Sequence, residues 1–80
     1  MTLDDFKALL SNDRLVLVDF YATWCGPCRA MHLILDKLEH ELADKVDVLR
    51  IDIDHPENVE LIQHYRIMSV PTLILFCRGR

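Results

Sequence analysis

Residues 15–29 read LVLVDFYATWCGPCR, an apolar run that passes through a short turn into a pair of cysteines. Leu15, Val16, Leu17, Val18 and Phe20 follow one another without alternation, the pattern of a strand covered on both faces in a mostly parallel sheet. Asp19 interrupts the run. A carboxylate there loses water on folding, which disfavours its charged form, raises its pKa and makes it a candidate proton acceptor. Beyond the turn at Ala22 to Trp24, Cys25-Gly26-Pro27-Cys28 opens a stretch of helical periodicity. Cys25 then sits at a helix N-terminus, where unpaired N–H groups and the positive end of the helix dipole favour its thiolate. Pro27 suits the first turn, where its missing N–H costs nothing, and Gly26 removes bulk around the sulfurs. Two intervening residues in a helical turn let the sulfurs meet, so the pair can close a disulfide.

The segments Asp19-Phe20-Tyr21-Ala22, Trp24-Cys25-Gly26-Pro27-Cys28-Arg29 and Val70-Pro71-Thr72 together resemble the thioredoxin family. A bare C-x-x-C is weak evidence, whereas strand, buried Asp, Trp-Cys-Gly-Pro-Cys and helix in that order is a specific combination. The resemblance implies a thioredoxin-like three-layer α/β/α fold, shortened, with a mixed sheet of about three strands and helices on both faces. It implies that the last strand runs antiparallel, that Pro71 is cis, and that Asp19 lies beneath Cys28. It also implies that Val70 and Pro71 face the cysteines and present backbone to an extended substrate.

Eighty residues, half of them apolar, suffice for one modest core, so residues 1–80 are expected to form a single domain. A net charge of −4 without a Lys/Arg cluster argues against nucleic acid or an anionic membrane as the main partner. No apolar run approaches a membrane span or signal-peptide core, and the expected location is the cytoplasm. Three cysteines, only two of them closely spaced, do not make a disulfide-stapled secreted scaffold.

Thr2 and Asp5 form a capping-box pattern ahead of a first helix whose apolar residues are Leu3, Phe6, Leu9 and Leu10. After the cysteines, Met31, Ile34, Leu35, Leu38 and Leu42 line one face of a second helix, with Asp36/His40 and Lys37/Glu41 as i,i+4 pairs on the other. Residues 46–53 read as a strand. Asp54 is a candidate cap for a third helix, with Pro56 in its first turn and Val59, Ile62 and Tyr65 on one face. Thr72 to Cys77 reads as a further apolar strand.

Against the family pattern the chain lacks a first strand before the first helix and a last strand and helix after Cys77. Thr72 to Cys77 is then expected to be a free sheet edge beside an uncovered apolar patch, favouring a homodimer. Leu33 replaces a family Pro, which predicts an unkinked second helix. Arg66 replaces a family Gly, which predicts a third helix without a left-handed cap.

The function implied is a thiol–disulfide oxidoreductase that reduces protein disulfides. Cys25 is the expected nucleophile, Cys28 the resolving thiol and Asp19 its proton acceptor, while Trp24, Gly26, Pro27, Val70 and Pro71 contact substrate. The electrons come from a separate thioredoxin reductase-type donor, and neither cofactor nor metal is expected. Two rivals stay open on the residues alone: a binding module with idle cysteines, and a metal or iron–sulfur site shared between two chains. The scattered His32, His40, His55 and His64 give no ligand spacing and read as solvated or packed side chains.

Overall fold

The computed structural model describes all 80 residues, Met1 to Arg80. The elements are α1 (Leu3–Leu10), β1 (Leu15–Tyr21), α2 (Gly26–Glu41), β2 (Val46–Asp52), a 3₁₀ turn (Pro56–Asn58), α3 (Val59–His64) and β3 (Thr72–Cys77). β1 is central, parallel to β2 and antiparallel to β3, giving the order β2-β1-β3.

Alternation along β1 divides the molecule. Val16, Val18 and Phe20 point to one face and join Phe6 and Leu10 of α1, Ile51, Leu61 of α3 and Phe76 in the main buried cluster. The Phe6 ring meets those of Tyr65 and Phe76 edge to face at 5.6 and 5.5 Å. Asp19 points to the opposite face, toward α2. The layers are therefore α/β/α, as the resemblance implies.

Local signals account for most of the element ends. Asp5 N donates to Thr2 Oγ1 at 3.1 Å and Thr2 N to Asp5 Oδ2 at 3.4 Å, the reciprocal capping box read from the sequence. Arg14 fastens the start of β1 to that of β2 by donating to the Asp47 carboxylate and to the Ala43 and Asp44 carbonyls. α2 runs unbroken through Leu33. The Val70–Pro71 bond is cis.

Several expectations need correction. Ile34 is exposed: α2 packs mainly against β2, and Leu73 and Leu75 of β3 are themselves uncovered. Leu9 and Val59 are also exposed, and Leu61 is the buried residue of α3. Asp36 reaches across to Arg50 at 2.6 Å rather than pairing with His40, since β2 brings a cation closer than the helix does. Asp54 does not cap the third helix. His55 instead caps the 3₁₀ turn, its ring accepting from Glu57 N at 3.3 Å, and Asn58 stands at the N-cap of α3 without a side-chain capping bond. α3 does end in a left-handed residue, Arg66 itself at φ 53°, and Ile67 N donates back to the Ile62 carbonyl at 3.0 Å.

Candidate active site

The parallel pairing of β1 with β2 brings the C-terminal ends of both strands to one edge of the sheet. The turn after Tyr21 closes there by a bond from Cys25 N to the Ala22 carbonyl at 3.2 Å, and α2 begins at once. Cys25 is the N-cap of α2, with extended backbone, and Pro27 stands in the first turn. Cys28 N donates to Cys25 Sγ at 3.2 Å, so the sulfur takes the capping role that a Ser or Asp oxygen fills elsewhere. The two cysteines are joined as a disulfide, their Cα atoms 5.3 Å apart.

Ala22, Cys25 and Cys28 form a small buried cluster packed against Tyr21, Ile53 and Val70. Val70 thus packs against the cysteine cluster, and the cis bond attaches Pro71 to it. Thr72 Oγ1 closes this loop on the Ser69 carbonyl at 2.6 Å. Cys25 is 5% and Cys28 1% exposed, so the two differ little in access in the oxidised pair. Gly26 and Pro27 are exposed above them. A Cβ at Gly26 would meet nothing within 4 Å, so space does not require glycine there. Trp24 is 68% exposed, its Nε1 donating to Asp54 Oδ2 at 2.7 Å. That bond orients an otherwise open indole.

Asp19 has no exposed surface, and neither carboxylate oxygen has a hydrogen-bond partner. Burial pushes its pKa up, against opposing pulls from His32 and Arg50. Arg50, its register partner on β2, is engaged by Asp36 and Glu39 of α2. His32 Nε2 lies 3.7 Å from Asp19 Oδ2, and its ring meets Tyr21 edge to face at 4.8 Å. Cys28, Arg29 and His32 border an open depression of about 340 Å³ together with Tyr21, Ala22 and Thr23.

A family model described as Thioredoxin matches residues 1–80. The chain belongs to the thioredoxin family. It is 49% identical over 82 residues to a thioredoxin of Alicyclobacillus acidocaldarius subsp. acidocaldarius, covering 100% of this chain and 76% of that one. A bifunctional thioredoxin reductase/thioredoxin of Mycobacterium leprae is 39% identical over 75 residues, covering 94% of this chain and 16% of that protein. Mitochondrial thioredoxin 3 from Saccharomyces cerevisiae in its oxidized form superposes with a TM-score of 0.87 at 33% identity, over 99% of this chain and 72% of that one. With a redox-active pair heading α2, this thioredoxin-family chain is a thiol–disulfide oxidoreductase. The two rival readings are not favoured, since each sulfur is bonded to the other and thioredoxin identity runs the length of the chain.

His32 is the residue that sequence reasoning missed. Its signal was available: it follows Cys28 by four positions and so shares a helix face with it.

Proposed function

We propose that this chain, as one thioredoxin-like domain over residues 1–80, reduces protein disulfides with Cys25 as nucleophile and Cys28 as resolving thiol. The observation that carries the assignment is the bond from Cys28 N to Cys25 Sγ, which would hold a thiolate at that sulfur once the pair is reduced. The Cys25 thiolate attacks one sulfur of the substrate disulfide and expels the other as thiolate, leaving a mixed disulfide. Cys28 passes its proton to the Asp19 carboxylate and attacks Cys25 Sγ. The Cys25–Cys28 bond forms, the bond to substrate breaks, and the second substrate thiolate leaves. Two electrons have moved from the dithiol to the substrate, and the substrate thiolates take up two protons, matching those given up at Cys25 and Cys28.

Asp19 suits the acceptor role because it is buried without partners, so that protonation relieves an uncompensated charge. Val70 and Pro71 receive an extended substrate segment by backbone pairing, with Trp24, Gly26 and Pro27 as its other contacts. Support for Trp24 is its open indole, fixed by Asp54. A reductase of the thioredoxin reductase type returns the electrons, a reading supported by the Mycobacterium leprae relative, whose two named activities share one chain. The work is assigned to the cytoplasm, where thiols are kept reduced between turnovers; no helix is long and apolar enough to cross a membrane. Two copies pair along β3, a sheet edge without Pro, Lys or Glu whose Leu73 and Leu75 are exposed.

Insulin reduction with dithiothreitol as donor tests the activity. The chain should hasten precipitation of the insulin B chain and Cys25→Ser should not; equal rates with and without the chain would refute it. Sedimentation equilibrium tests the pairing, and a monomer at all concentrations would exclude it.

A further inference from the structure

We infer that His32 is a positioning residue that carries protons between the buried Asp19 carboxylate and solvent. The inference rests on Asp19 being the acceptor for Cys28. An acceptor wholly enclosed by protein exchanges protons with solvent only through a neighbouring group, because Asp19 has neither exposed surface nor a hydrogen-bond partner of its own. Arg50, opposite it on β2, offers no outlet because its guanidinium stays charged and is held by Asp36 and Glu39. On β3 the register partner is Leu73, which cannot take a proton.

His32 alone connects the two environments. Its Nε2 is 3.7 Å from Asp19 Oδ2, an approach that a small shift converts into a hydrogen bond, while 29% of its side chain is exposed. Tyr21 meets the ring edge to face, and the open depression that His32 borders with Tyr21, Cys28 and Arg29 gives water access to it. As Cys28 delivers its proton to Asp19, the imidazole takes the proton from that carboxyl at Nε2 and releases one to water from Nδ1, so that discharge is coupled to the attack of Cys28 on Cys25. Asp19 returns to carboxylate, and the imidazole is left carrying its proton on Nε2 instead of Nδ1 until one passes back the other way. When the Cys25–Cys28 disulfide is reduced again, a proton can return to the Cys28 thiolate by the same route. A protonated imidazole closes the outward route. The groups that face this path are Asp19 and Tyr21 on β1, Arg50 on β2, and Cys28, Arg29, Asp36 and Glu39 on α2.

The test follows the release of thionitrobenzoate when the reduced chain, carrying Cys77→Ser to remove the exposed thiol, reacts with dithiobis-nitrobenzoate. The second, reagent-independent phase reports attack of Cys28 on the mixed disulfide at Cys25. His32→Ala and His32→Gln are compared with Asp19→Ala across a pH series. Both His32 variants should slow this phase about tenfold at neutral pH and lose one step of its pH profile, and added imidazole should restore the rate of His32→Ala. Native rates in both His32 variants alongside a slow Asp19→Ala would overturn the relay alone. A loss of equal size at every pH, indifferent to imidazole, would reduce His32 to packing and overturn it too. Native resolution in Asp19→Ala would remove the acceptor and the relay together.

Discussion

Cys28 N donates to Cys25 Sγ at 3.2 Å, so the second cysteine of the pair supplies, through its backbone, the group that favours a thiolate on the first. The relation is one-way, since Cys28 lies inside the first turn of α2 and its own sulfur caps nothing. The consequence is an order of reactivity in the reduced chain. Iodoacetamide at neutral pH should label Cys25 first, ahead of the exposed Cys77 and the buried Cys28, as followed by peptide mass spectrometry. Faster labelling of Cys77 would mean that exposure outweighs the helix terminus.

Asp19 should cost stability at neutral pH. Its folded pKa is raised by burial, so the native state favours the protonated carboxyl. That contribution is fully present below the unfolded carboxyl pKa and is lost as pH rises through the folded one. Asp19→Ala should therefore match the native midpoint in denaturant at the acid end of this window and exceed it increasingly toward neutrality. A variant midpoint at or below the native one at pH 7 would show that the carboxylate is not desolvated.

Arg66 occupies a left-handed conformation, φ 53°, that a side chain with a Cβ adopts at a cost. Exposed, with its backbone N–H bonded to Gln63 O, it can be replaced without loss of packing. Arg66→Gly should stabilise the fold by about 1 kcal/mol, read as a higher urea midpoint with an unchanged slope. A lower midpoint would contradict the assignment of strain.

Trp24 is the only tryptophan, which makes its fluorescence a reporter for the bond to Asp54. Asp54→Ala should lower the indole's steady-state anisotropy while moving the denaturation midpoint little, since an exposed hydrogen bond contributes only about 0.5–1.5 kcal/mol. Unchanged anisotropy would mean that the ring is held by something else.

The segment from Leu15 to Cys28 was readable because each of its features is local: a run of apolar residues, a thiol at a helix start and a proline in the first turn. The capping box at Thr2 was readable for the same reason. What escaped depends on partners distant in sequence. That Asp19 and His32 meet requires knowing which face of β1 receives α2, and neither periodicity alone contains that information. The exposure of Ile34 follows from where α2 sits on the sheet, mainly over β2. The helical face around Ile34 looks the same whether or not anything covers it. The direction of β3 came from the family resemblance, because an apolar run has no polarity. Arg66 takes a left-handed conformation that sequence equates with glycine, and the hydrogen bonds from Arg66 N to Gln63 O and from Ile67 N to Ile62 O close the helix end around it.

The assignment of Cys25 as attacking and Cys28 as resolving thiol is tested most directly by trapping. Reduced Cys28→Ser, mixed with a protein disulfide substrate such as insulin, should accumulate a covalent adduct, and peptide mass spectrometry should locate it at Cys25. Cys25→Ser should accumulate little. An adduct that forms at Cys28 or Cys77 instead, or a Cys28→Ser variant that still turns over, would contradict the account.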